Sequence, residues 1–191
     1  MAASGLIDRA VVSCPVGFVA SFEEALGGFS LPVTVVEGGS SRRDSVKNAF
    51  KGSELQDDDL ICIHDAARPL VDPSEVAAVI QAAEKSGAAV ACYSAVETMK
   101  QVANGRVLKT VPRNELVAAS TPQVFRVSLF RAAIEKDNRH DVTDDAELLE
   151  RMGVPVSVVL TSRWNIKITY QEDLTWAEAY LRHGASIGEL S

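Results

Sequence analysis

Short apolar runs recur along the chain, separated by segments that carry helix punctuation. Ala10–Cys14, Val33–Glu37, Leu60–His64, Ala88–Ser94 and Val156–Leu160 are rich in Val, Ile and Ala without strict alternation. That pattern predicts strands buried on both faces. Between them, Asp72 followed by Pro73 marks the start of a helix over Ser74–Ser86, and Gly87 stops it. Thr143 opens Asp144–Met152 ahead of Gly153, and Asp44 caps Ser45–Lys51 ahead of Gly52. Strands alternating with helices predict βαβ units, hence an α/β fold with a mainly parallel, Rossmann-like sheet flanked by helices. One stretch breaks the alternation. Glu97–Val102 and Arg106–Val111 flank Asn104-Gly105, the dipeptide favoured in a two-residue type I′ hairpin turn. A hairpin over residues 96–114 reads as an inserted arm, used for dimer contact or as a lid, or as a plain edge hairpin. No repeat or linker divides the chain, so residues 1–191 read as a single domain.

Composition narrows the classes of partner. Nineteen Lys and Arg against 26 Asp and Glu leave a net charge of −7 in 191 residues, a poor basis for sequence-independent nucleic-acid binding. No apolar run reaches the length of a membrane span, and the start MAASGLIDRA lacks a signal-peptide core. A cytoplasmic protein is expected, with no membrane or nucleic-acid partner. Cys14, Cys62 and Cys92 lie in apolar runs without CxxC spacing, as reduced core cysteines do.

In an open parallel sheet, ligands bind beyond the carboxyl ends of the strands. The second run is followed by GGSSRRDSV, where Gly38 and Gly39 allow close backbone approach to a ligand and Arg42 and Arg43 add positive potential. A glycine turn with a solvated arginine pair explains that segment at least as well. The third run leads into HDAARP. Asp65 stands where metal ligands beside phosphates are common, Ala66 and Ala67 leave space, and Arg68 offers a planar fork for phosphate. An Asp–Arg pair closing a βα turn is an even alternative. His64 reads as a structural, hydrogen-bonded histidine, with His140 and His183 at the surface. In WNIKIT, Lys167 projects from a short predicted strand opposite Ile166 and Ile168, to meet a phosphate or to protect an edge. Arg113, Thr121 and Thr143 carry little functional signal on their own, and capping accounts for Thr143.

Taken in order, EGGSSRRDSV, IHDAARPLV, ETMK, VPRNEL, STPQVF, VTDDAELLERMG and NIKIT followed by EDL resemble the 2-C-methyl-D-erythritol 4-phosphate cytidylyltransferases of non-mevalonate isoprenoid biosynthesis. The resemblance runs from about residue 7 nearly to the end. It implies a nucleotide-diphospho-sugar transferase type of fold. It also implies transfer of CMP from CTP to 2-C-methyl-D-erythritol 4-phosphate, with Mg²⁺ present and pyrophosphate released. By the same resemblance Gly38, Gly39, Ala66 and Ser45 would bind the nucleotide, and Asp65 would stand near the metal and the sugar alcohol. Lys167 would face the α-phosphate. Arg68, Thr98, Arg113, Thr121 and Thr143 would line the acceptor pocket, completed by a second subunit through the hairpin arm.

The family's opening strand and glycine-rich loop, of the type AAGxGxRxGxxxPKQ, have no counterpart in this sequence. Ile7–Pro15 matches the family's second strand instead, so the chain reads as N-terminally shortened. A triphosphate would lose a backbone cradle and two cations, and the sheet would lose a central strand. A catalytically silent paralogue or fragment, binding cytidine nucleotide or serving as a dimerisation partner, is therefore the alternative expectation.

Overall fold

The computed structural model describes residues 1–136 and 142–187, with side chains described as far as residue 182. In chain order the elements are β1 (Ala10–Cys14), α1 (Val19–Leu26), β2 (Val33–Glu37), α2 (Arg42–Lys51), β3 (Leu60–Ile63), α3 (Pro73–Ser86) and β4 (Ala88–Ser94). There follow β5 (Lys100–Ala103), β6 (Arg106–Thr110), β7 (Val117–Arg126), α4 (Val127–Lys136), α5 (Ala146–Glu150), β8 (Ser157–Leu160) and α6 (Gln171–Ile187).

Helix punctuation sets these boundaries. Asp72 accepts a hydrogen bond from the Ser74 amide, Pro73 occupies the first turn of α3, and Gly87 ends the helix at φ 84°, a left-handed conformation that glycine adopts without penalty. Two predicted starts move. Ser41 caps α2 by accepting from the Asp44 amide, so the helix begins at Arg42 and Asp44 belongs to its first turn. At α5, the carboxylate of Asp144 accepts from the Glu147 amide, and the Thr143 hydroxyl donates to the Glu147 carboxylate. The capping side chain is therefore Asp144 rather than Thr143.

The α/β class stands, with one departure from a mainly parallel sheet. β1 pairs with β2 in parallel, and β4 pairs with β8 in parallel. β7 runs antiparallel between β3 and β4, giving the order β3-β7-β4-β8. The core forms on both faces of this sheet. Ala89, Ala91 and Val124 pack on Val76, Val79, Ile80 and Ala83 of α3. On the opposite face Ala88 and Phe125 meet Phe130, Ala133, Leu148 and Leu149. Of the predicted two-face-buried strands, β4 is buried over five successive residues, whereas β1 is mostly half-buried.

β1 is half-buried because a cavity runs alongside it. Among the described residues β1 has a ladder partner only in β2, and β3 only in β7. Their free edges line one cavity of about 740 Å³, closed by Val46, Ala49 and Phe50 of α2 and by Ile80 of α3.

The hairpin forms as β5–β6, with Asn104 and Gly105 at φ 50° and 72°, the signs a type I′ turn requires. All of its strand residues are exposed. No helix of the described residues is long and apolar enough to cross a membrane.

Candidate active site

Four connections bring the predicted residues together at the ends of β2, β3 and β8. The first is the glycine turn after β2. The Gly38 amide donates to the Cys14 carbonyl at 2.7 Å, and the Gly39 amide to Ser45 Oγ at 3.0 Å. Asn48 of α2 donates to the Glu37 carbonyl. A Cβ at Gly39 would stand 2.2 Å from the Cβ of Asp44, and one at Gly38 would stand 2.9 Å from Ser45 Oγ and 3.1 Å from the Cys14 carbonyl. Glycine is required here by space, because α2 begins directly against the turn.

The second is the turn after β3. Ala66 is exposed. Asp65 is held from beneath, its amide donating to Thr121 Oγ1 at 3.1 Å. Thr121 is 4% exposed and its hydroxyl also meets His64 Nδ1 at 3.0 Å. Since the other ring nitrogen of His64 lies 3.0 Å from the Arg68 carbonyl, the histidine is structural, as expected. Burial lowers its pKa, opposed in part by the Arg68 carbonyl.

Around the Asp65 carboxylate stand three cations. Arg42 Nε lies 2.9 Å from Oδ1, while Lys167 Nζ and Arg68 Nε lie 3.0 and 3.9 Å from Oδ2. Burial pushes Asp65 up, but the hydrogen bond and charge of Arg42, then those of Lys167, outweigh it and leave the pKa below the ordinary value.

The third connection delivers Lys167. No strand forms over Trp164–Thr169, which corrects the predicted one. The segment is an irregular crossing tied to the β3 turn instead. Ile168 donates to the Ala67 carbonyl at 2.8 Å, and Arg68 donates to the Asn165 carbonyl at 2.7 Å. Asn165, buried, donates in turn to the Thr121 carbonyl. Trp164 stacks on Tyr180 of α6.

The fourth is the loop before α5. Asp145, 4% exposed in its side chain, receives Arg42 Nη1 at 2.8 Å. Burial raises its pKa against the pull of Arg42, so its charge depends on that guanidinium. Thr143 is exposed on the same loop.

The structure thus joins Gly38, Gly39, Ser45, Asp65, Arg68, Thr121 and Lys167, with Thr143 near by in the chain. Thr121 faces inward as a support, not outward. Thr98 and Arg113 are exposed at the base of the hairpin, where Arg113 donates to the Val96 carbonyl. Among the described residues no hydrogen bond or ion pair joins them to the Asp65 cluster. His140, expected at the surface, lies outside the described residues, as does the side chain of His183. Cys14, Cys62 and Cys92 are free, and burial pushes the Cys62 thiol up to about 12 and the Cys92 thiol up to about 11.

Sequence reasoning missed Asp145, Asn165 and Gln123, and saw Arg42 only as positive potential. The signal for Gln123 lay in the TPQ segment, but a buried amide that bonds a distant loop has no local pattern.

Comparison with known proteins adds a lineage to this geometry. A sequence model described as "IspD: 2-C-methyl-D-erythritol 4-phosphate cytidylyltransferase" matches residues 1–183. The enzyme of that name from Acidobacterium capsulatum is 44% identical over 165 residues, which cover 83% of this chain and 69% of that protein. Its namesake from Syntrophus aciditrophicus is 42% identical over 151 residues, covering 78% and 64%. The chain therefore spans about two thirds of the length of these relatives. Among solved structures, 4-diphosphocytidyl-2C-methyl-D-erythritol synthase from Anaerococcus prevotii superimposes with a TM-score of 0.85 at 28% identity, covering 92% of this chain and 79% of that one. The cytidylyltransferase from Thermus thermophilus gives 0.76 at 33%, covering 91% and 82%.

Proposed function

Because this chain belongs to the 2-C-methyl-D-erythritol 4-phosphate cytidylyltransferase family, we propose that its site joins CMP from CTP to 2-C-methyl-D-erythritol 4-phosphate. A phosphate oxygen of the acceptor attacks the α-phosphorus of CTP in line. The bond from that phosphorus to the bridging oxygen breaks, and pyrophosphate leaves. The observation that carries the reading is the Asp65 cluster, where one carboxylate and three cations converge beyond the strand ends.

The residues take roles that their surroundings allow. Gly38 and Gly39 present a side-chain-free surface on which the cytosine lies, and Ser45 fixes that turn. Ala66 leaves room beside it. Lys167, 45% exposed, turns from Asp65 to the α-phosphate and stabilises charge that develops there. Arg68 and Thr143 face the acceptor. Thr121 and His64 hold the β3 turn rigid beneath the reacting groups.

Among the described residues no three His, Cys, Asp or Glu side chains gather as a metal cage. One carboxylate, Asp65, together with substrate phosphate oxygens is nonetheless a donor set suited to Mg²⁺, which binds through one or two carboxylates and phosphates. Bound there, the ion would neutralise phosphate charge.

Assembly as a homodimer through the hairpin belongs to the same proposal. Val102, Val107 and Leu108 expose 63, 61 and 60% of their surface on an arm that has no core of its own. A second subunit covering it would bring Thr98 and Arg113 to a pocket that their own chain does not complete. We place the enzyme in the cytoplasm. A silent binding protein could dispense with Asp65, Arg68 and Lys167, yet these form one ion-paired cluster, which favours catalysis.

The test is pyrophosphate release with CTP, the acceptor and Mg²⁺. It is run on the chain alone and on the chain preceded by a glycine-rich strand and loop segment from a relative. The extended chain is expected to turn over CTP in preference to ATP, GTP and UTP, and the chain alone more slowly. A folded extended chain without CTP-dependent release would refute the reading.

A further inference from the structure

Arg42 stands at the first turn of α2, with 37% of its side chain exposed, yet both of its partners are withdrawn from water. Its Nε meets Asp65 Oδ1 at 2.9 Å and its Nη1 meets Asp145 Oδ2 at 2.8 Å, and these carboxylates are 14 and 4% exposed. The two carboxylates come from loops far apart in sequence. One follows β3 and carries Arg68. The other precedes α5 and carries Thr143.

The Asp145 loop is fixed from its inner side by one buried amide. Gln123 Oε1 accepts from the amides of Asp145 and Ala146 at 3.1 and 3.0 Å, and Nε2 donates to Asp144 at 3.1 Å. Arg42 meets the same loop from the side of the Asp65 cluster. Through Asp65 the connection extends to Lys167 at 3.0 Å.

We propose that Arg42 is a positioning residue, a planar fork that fixes the acceptor-side loop to the Asp65–Lys167 pair through Asp145. The inference rests on the function proposed above. One guanidinium meets two carboxylates, Asp65 through a hydrogen bond from Nε and Asp145 through an ion pair at Nη1, a span that a lysine ammonium, a single point charge on a flexible stem, does not reproduce. Removing the fork leaves Asp145 buried without its cation and leaves Asp65 Oδ1 without its hydrogen bond, so that Lys167 and Arg68 at Oδ2 alone set the carboxylate. Misplacement of a reacting group by about 1 Å costs roughly 10²-fold in rate.

The experiment measures kcat, the acceptor KM and CMP affinity for Arg42→Met, Arg42→Lys, Asp145→Asn and the Arg42→Met/Asp145→Asn pair, each checked for folding by circular dichroism. Arg42→Met and Asp145→Asn should each lower kcat about 10²-fold and raise the acceptor KM. CMP affinity should stay unchanged, Arg42→Lys should restore little, and the pair should be no slower than either single change. Full rescue by lysine, additive losses, or CMP affinity falling in step with kcat would overturn the role.

An extended wild-type chain with no CTP-dependent turnover would count against the proposed function, and a readout without substrate then judges this inference separately. The ¹³C resonance of the Asp65 carboxyl should shift on Asp145→Asn, because both carboxylates share one guanidinium. A resonance that does not move would overturn the link.

Discussion

Replacing Gly39 by alanine adds one carbon where the structure has no room for it. That carbon would lie 2.2 Å from the Cβ of Asp44 and 3.0 Å from its carbonyl carbon. Contact distances between carbons begin near about 3.5 Å, so the turn and the start of α2 must separate by roughly 1 Å. Neither side yields easily. α2 is held by the Ser41 cap and by Asn48 on the Glu37 carbonyl, and the turn by Gly38 on Cys14. A shift of that size in a ligand-bearing backbone is worth about 10²-fold, or about 2.8 kcal/mol at 1.4 kcal/mol per tenfold. The assay is calorimetric titration of CMP into Gly39→Ala and wild type, with thermal melting to confirm that both are folded. CMP affinity should fall by about two orders of magnitude in a protein that still melts cooperatively. A folded Gly39→Ala protein that binds CMP like the wild type would refute the assignment of this turn to the base.

Three further outcomes test other parts of the account. Phe130→Ala removes a buried ring stacked on Phe125 at 5.4 Å and set edge-on to Phe50 at 5.3 Å, and urea unfolding should show a loss of about 3–5 kcal/mol. His64 is held neutral by burial, its folded pKa lying below the unfolded value of 6.5. Below that pH the unfolded chain binds the extra proton, so stability is full above pH 6.5 and declines as pH falls from there toward the folded pKa. His64→Gln should flatten that part of a melting-temperature profile, and an unchanged slope would contradict the reasoning. Val107→Lys with Leu108→Glu, on the exposed hairpin, should convert a sedimenting dimer to monomer without lowering its melting temperature greatly; a dimer that survives both changes removes the arm from the interface.

Much of this architecture is legible in the sequence because short-range chemistry sets it. Asp72-Pro73 and Gly87 bound α3 residue for residue, and Asn104-Gly105 forms the turn that its φ preferences dictate. β7 is the instructive failure. Its sequence VAASTPQVFR is dominated by small residues and interrupted by Pro122, which cannot donate to a ladder. The structure accommodates it where pairing with β4 changes register, between the Val90–Gln123 and Cys92–Ala119 pairs. WNIKIT fails in the opposite sense. Its alternating apolar residues suggest a strand, but the Ile168 amide bonds the β3 turn and Lys167 bonds Asp65, so tertiary bonds replace a ladder. The glycine turn, Asp65, Arg68 and Lys167 could be named from motifs. The Arg42–Asp145 bridge could not, because it links residues whose proximity only the folded chain creates.

Transfer of CMP at this site is tested by pyrophosphate release. The reaction contains CTP, 2-C-methyl-D-erythritol 4-phosphate and Mg²⁺, and uses the chain with and without the added glycine-rich segment, beside parallel reactions with ATP, GTP and UTP. Release is expected with CTP in preference to the other nucleotides, lost on chelation of Mg²⁺ and abolished by Lys167→Ala. Absence of CTP-dependent release from the folded, extended protein, or release that survives Lys167→Ala undiminished, would contradict it.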